Sequence, residues 1–269
     1  SDVCSSDLRR TQTYVSGMIP KDHLFDFMLI HADTSLIISQ RLSEWCGHGP
    51  VLEQDMAMTN LALDHIGRAR LLYQYASELE NAGRSEDELA FLRDELDYKN
   101  LLLAEYPNTD FAFTVTRQFF LDAFYIDLLD KLSGSADSRL AHIANKSLKE
   151  TQYHYKWSSD WMIRLGDGTE ISHEKVQNAV DRLWEYTGEI FQPAECELGM
   201  MEAGVAPSYE ELSDSWHQRV NSVLAEATLK KPQSTWQQKG GKTGHHTEHL
   251  GYLLAEMQYM QRAYPGLDW

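Results

Sequence analysis

The chain is short of cysteine, proline and positive charge, and it has no long hydrophobic run. Its three cysteines, at positions 4, 46 and 196, are too few and too scattered for a disulfide framework or a cysteine-based zinc site. A reducing, cytoplasmic setting is the expectation. No apolar run approaches the roughly 18 residues that a membrane-spanning helix needs, so no span is expected. Lys+Arg number 24 against 41 Asp+Glu, a formal net charge of −17. This argues against unaided binding to DNA or RNA, which rests on neutralising phosphates. Protein partners and small molecules are left open.

What is present favours a large helical core. Hydrophobic residues make up 42% of the 269 residues, aromatics 11%, and only seven prolines interrupt them. Nearly every long segment carries the helical period, and none alternates as a strand would. Residues 1–21 are polar at the start and lack the apolar middle of a signal peptide, so a disordered leader or a cloning or sequencing remnant is expected there. One helical domain is expected over 22–269. Long helices are predicted at about 22–45, 51–81, 109–133 and 136–165. In the second, Leu61, Ile66, Leu72 and Tyr75 mark one side, and the glycine of "NAG" suits its end. "SEDE" reads as a capping box at Ser85 and Glu88. Serine-capped helices follow at "SHEKVQNAVDRLWEYTGEIFQ" and "SYEELSDSWHQRVNSVLAEATL". A basic loop then leads into a last helix, "HTEHLGYLLAEMQYMQRAYPG". The reading is an all-α protein, a four-helix bundle with additional helices.

Acidic residues inside apolar helices are informative, because burial is costly unless they are paired or ligate metal. Each long helix has one: Asp33, Asp64, Asp122 and Glu150. In di-iron bundles each half supplies a Glu and then a Glu-x-x-His pair. Here Asp64 is followed three places on by Gly67, and Glu150 by Tyr153, with His154 one residue further. His65 should point about 100° from Asp64 at 3.6 residues per turn. The ligand set is incomplete, and three of the four acids are aspartates. The expectation is a vestigial site without metal, the acids pairing with Arg68, Arg70, Arg117 or His154 in a polar core.

The strings "RLSEWCGHGP", "LALDHIGRAR", "RDELDYKNLLLAEYPN", "RQFFLDAFY", "KETQYHYKWSSDW" and "GGKTGHHTEHLGYLLAEMQYMQRAYPG" resemble the C-subunit family of the bacterial phenylacetyl-CoA epoxidases, also called phenylacetate-CoA oxygenases. The resemblance spans roughly 22–269. It implies a ferritin-like fold and a place in a multicomponent monooxygenase that epoxidises the ring of phenylacetyl-CoA. It further implies that a separate, catalytic ferritin-like A subunit carries the di-iron centre, and that a reductase with FAD and an iron–sulfur cluster draws electrons from NADPH. Further small subunits complete the complex. This chain would bind no cofactor and have no catalytic residue of its own. It would pair with the A subunit and meet phenylacetyl-CoA only indirectly. Two other readings remain at this point: a di-metal oxygenase in its own right, and a ferritin-like scaffold homo-oligomer.

Three further clusters carry alternatives. Lys230, Lys231, Lys239 and Lys242 form either a solvated loop or a contact with an acidic partner or the phosphates of coenzyme A, and Gly240-Gly241 would let backbone amides approach an anion. His246 and His249 could share an ion. The simpler reading there is a helix start capped by Thr247, with Glu248 near the positive helix end. Cys46 and His48 read as a helix end packed by Trp45 rather than a nucleophile pair. Trp157, Trp161, Trp184, Trp216 and Trp236 are expected as core or interface anchors.

Overall fold

The computed structural model describes residues 14–15 and 19–267. Most of the leader expected over 1–21 lies outside these residues. Inside them, β1 (Tyr14–Val15) pairs antiparallel with β2 (Ile19–Pro20), and Ile19 is already buried in the core. The packed chain therefore starts before residue 22.

Four long helices form the bundle: α1 (Lys21–Ser43), α2 (Leu52–Glu80), α5 (Phe111–Leu132) and α6 (Ser138–Gly166). They pack mainly as two hairpins, α1 with α2 and α5 with α6. This is the ferritin-like arrangement expected from the sequence. Their ends follow from local chemistry. Asp110 and Asp137 cap α5 and α6 through the amides of Phe113 and Leu140, at 2.9 and 2.8 Å. α2 stops at Asn81, whose φ of 55° is left-handed; the predicted glycine, Gly83, turns the chain two residues later. Asparagine tolerates that conformation because its side chain can hydrogen-bond locally.

The accessory elements lie unevenly around the bundle. α3 (Glu86–Phe91), capped by the expected box at Ser85 and Glu88, meets α2. α4 (Leu102–Glu105) and α8 (Glu195–Glu202) pack on α1. α7 (Glu170–Leu183) and α9 (Tyr209–Glu226) cover α5 and α6. α7 is capped by Thr169, with the predicted cap Ser172 sitting three residues inside it. α8 has no counterpart in the sequence reading: it is short and holds Gly199, whose missing side chain makes room for the imidazole of His23. The last predicted helix is two, α10 (Glu248–Met257) and α11 (Tyr259–Ala263). They part at Gln258, a buried residue whose amide donates to the Arg93 carbonyl and the Tyr98 hydroxyl, each at 2.9 Å.

α5 is buried around most of its circumference, as a central helix should be. Trp184 and Trp216 anchor the core, and Trp216 Nε1 donates to the Phe120 carbonyl at 2.9 Å. Trp45 closes the α1 end by donating to Thr114 Oγ1 at 2.9 Å. Trp236 is exposed. No helix among the described residues is long and apolar enough to cross a membrane.

Candidate functional site

The polar centre of the bundle is organised by Arg68 of α2. Its guanidinium donates from Nε to Ser35 Oγ at 2.9 Å, from Nη2 to His65 Nδ1 at 2.8 Å, and from Nη1 to Thr151 Oγ1 at 3.4 Å. Its carbon lies 4.3 Å from the centre of the Tyr125 ring, a cation–π contact. Tyr125 in turn meets His31 Nδ1 at 3.3 Å. All of these side chains are buried.

The network continues across the bundle. His65 Nε2 lies 3.0 Å from the Gln118 amide nitrogen, which donates to Asp122 Oδ1 at 2.7 Å. Asp122 Oδ2 accepts from Ser158 at 2.9 Å. His154 stacks obliquely on His65, ring centres 5.1 Å apart, and its Nε2 meets Asp64 Oδ2 at 3.0 Å. Burial sets the protonation states. It pushes the Asp122 carboxyl up to about 6 and pulls His31 down to about 3. His65 falls well below its ordinary value, first through burial and then through Arg68 and His154.

This geometry corrects the register read from the sequence. The inward pairs with i, i+3 spacing are His65 with Arg68 and Thr151 with His154. They lie one residue beyond the Asp64/Gly67 and Glu150/Tyr153 pairs. Asp64 and Glu150 sit only partly buried at the rim. On α1, Ser35 faces the centre and Asp33 does not. Asp33 belongs to another structure: Arg93 binds it through both terminal nitrogens, Tyr73 donates to it, and the Lys99 amide donates at 2.8 Å. That buried pair pins the 93–99 segment onto α1. Of the cations expected to hold the acids, His154 holds Asp64. Arg70 is exposed near Glu86, and Arg117 donates to Asn108 and the Tyr106 carbonyl.

The residues do not fit a di-iron centre. Such a centre takes four carboxylates and two imidazoles. At the corresponding positions stand Ser35, His65 with Arg68, Asp122, and Thr151 with His154, a single carboxylate among them. Among the described residues one trio, His65, Asp122 and His154, places its ligating atoms within 4.8 Å of one another. There His65 commits its Nδ1 lone pair to a guanidinium, and the neutral tautomer this fixes places the proton on Nε2, leaving no lone pair free for an ion. The fixed charge of Arg68 also opposes a second cation.

The basic loop divides. Lys242 is buried and 2.9 Å from Glu197, with the Ile190 and Gln192 carbonyls each 3.1 Å from its Nζ, so it is no surface contact for coenzyme A or a partner. The reason is local: the amides of Gly240 and Gly241 donate to Glu189 Oε1 at 2.8 and 2.7 Å. The anion that the glycine pair approaches is thus the protein's own carboxylate. Lys230, Lys231 and Lys239 are exposed, with Lys231 Nζ 5.3 Å from the Trp184 ring centre. His246 is not paired with His249. It is held between Glu105 Oε1 at 2.6 Å and the Tyr98 carbonyl at 2.8 Å, while Thr247 caps α10 as expected.

A four-helix bundle with a guanidinium, two hydroxyls and an imidazole where ligands would stand is a ferritin-like protein whose donor set departs from the metal-binding pattern. The chain belongs to the phenylacetic acid catabolic protein family, whose model matches residues 15–269. It is 46% identical over 248 residues to the C subunit of the 1,2-phenylacetyl-CoA epoxidase of Escherichia coli (strain K12), an alignment covering 92% of this chain and 100% of that relative.

Proposed function

We propose that this chain is the structural, non-catalytic ferritin-like subunit of a cytoplasmic multicomponent monooxygenase that epoxidises the ring of phenylacetyl-CoA in phenylacetate catabolism. The observation that carries the reading is Arg68, whose guanidinium bonds Ser35, His65 and Thr151 at the level where a di-iron bundle places ligands. A fixed internal cation holds the helices in the spacing that a metal cluster would otherwise impose. The similarity to the C subunit of the Escherichia coli epoxidase supplies the substrate and the setting. In this reading the iron centre belongs to the A subunit, with which this chain pairs, and FAD, the iron–sulfur cluster and NADPH belong to the reductase side. Lys230, Lys231 and Lys239 remain available for an acidic partner surface or the phosphates of coenzyme A.

The test is co-expression with the iron-bearing subunit, followed by epoxidation assays with and without this chain. Activity or stability of the partner should fall when the chain is omitted. A partner that is stable and fully active alone would sink the reading, as would about two irons per chain in the isolated protein.

A further inference from the structure

The accessory helices leave one side of the bundle bare. α4 and α8 lie on α1, and α7 and α9 lie on α5 and α6, whereas among the described residues the main accessory element against α2 is the short α3. Between residues 52 and 66 the bare side of α2 carries several exposed apolar side chains. Leu52, Met56 and Leu63 are 72%, 58% and 60% exposed, and Ile66, expected on the core side, is 38% exposed. At 100° per residue these four fall within about 80° of one another, one straight stripe along the helix. Tyr153 of α6 is also exposed. Clustered exposed apolar side chains of this size mark interaction sites, and methionine and tyrosine are enriched in them.

Charge says what kind of partner fits. Asp64 and Glu150 stand between α2 and α6. Asp64 accepts from His154, but Glu150, partly buried, has neither a hydrogen-bond donor nor an ion-pair partner among the described residues. Burial and then the neighbouring Asp64 raise its pKa, with Lys146, Arg68 and His154 opposing. Glu150 itself has no cation in contact. A second copy of the chain would bring the same acids, with Glu53 and Asp55 of α2, and another net charge of −17.

We infer that the Leu52–Ile66 stripe of α2, with Tyr153, is the docking face for a different helical subunit, which lays an apolar helix on it and directs a lysine or arginine at Asp64 and Glu150. This rests on the pairing proposed above and identifies its surface.

The experiment measures binding of the iron-bearing subunit to the full-length chain. It compares wild type with Leu63→Asp, Ile66→Asp and Glu150→Gln, and with Tyr252→Asp on α10, another exposed aromatic, as control. Circular dichroism and urea midpoints show that each variant is folded. Leu63→Asp and Ile66→Asp should weaken binding at least about tenfold, as loss of an interface anchor does. Glu150→Gln should weaken it less and flatten its salt dependence, and Tyr252→Asp should leave it unchanged. Stripe variants that bind like wild type, or a Tyr252→Asp loss as large as theirs, would overturn the surface while leaving the pairing intact. Self-association of the wild type that Ile66→Asp abolishes would assign the stripe to a second copy and also overturn the inference. Failure of wild type to bind at all would remove the pairing itself, and the docking face with it.

Discussion

Arg68 Nη2 donates to His65 Nδ1 across 2.8 Å, one turn apart on the same helix. Because a guanidinium only donates, that nitrogen of His65 must be the acceptor, which fixes the ring's tautomer and keeps it neutral. The side chain three residues after the first would-be ligand of α2 therefore consumes that ligand. The bundle's centre is held by hydrogen bonds to a protein cation.

Loss of Arg68 should be costly. Arg68→Ala removes the donor shared by Ser35, His65 and Thr151 and opens a cavity, at about 3–5 kcal/mol. Arg68→Met, which fills the volume without a charge, should cost markedly less. Urea denaturation of both variants measures the difference.

The register can be tested by reversal. Ser35→Glu, His65→Glu, Arg68→His and Thr151→Glu together, beside the native Asp122 and His154, rebuild the inward donor pattern of a di-iron bundle. The combined variant should take up iron in anaerobic titration, where wild type does not. The alternative register, changing Gly67 and Tyr153 to histidine in an otherwise wild-type chain, should not gain iron.

Asp33 should behave as a structural acid. Removing one partner of a buried ion pair strands the other, so Asp33→Ala should cost about 3–5 kcal/mol. Leucine at 33 with methionine at 93 should recover most of the loss, because the double change buries no unpaired charge. Metal content should be indifferent to all of these substitutions.

Two groups should shape the pH dependence in opposite parts of the range. Asp122 has its carboxyl raised from 3.8 to about 6, so the folded state holds its proton more tightly than the unfolded chain. The cost of ionising it is absent below pH 4, grows as pH rises to about 6 and is then constant, at about 3 kcal/mol for two pH units. Asp122→Asn should therefore raise the urea midpoint at pH 7.5 and leave it nearly unchanged at pH 4.

His246 is raised above its ordinary 6.5: burial opposes the charged form, but the Glu105 carboxylate and the Tyr98 carbonyl outweigh it. Its stabilisation is complete below pH 6.5 and is lost as pH climbs through the folded value. The advantage of wild type over His246→Gln in urea melts should be greatest near pH 6 and shrink by pH 8.5.

Much of this protein was determined by local sequence. The helical period, the caps at Asp110, Ser85 and Thr247, and the scarcity of strand pattern specified four long helices and their helical accessories, because hydrogen bonding within a turn and one apolar stripe suffice for each. The missing ligands were legible too, since none of Asp33, Asp64, Asp122 and Glu150 is followed by histidine at the third place. Tertiary packing decided which neighbour turns inward. Asp64 and His65, or Glu150 and Thr151, differ by only 100° on a helix, and the packing of the bundle buried the second of each pair. The same holds for Asp33 and Ser35. On a helix buried nearly all round, only the arrival of Arg93 on one side and Arg68 on the other assigns each its role. Ile66 shows the converse: an apolar residue in a helical pattern carries no mark of whether its own core or a partner will cover it.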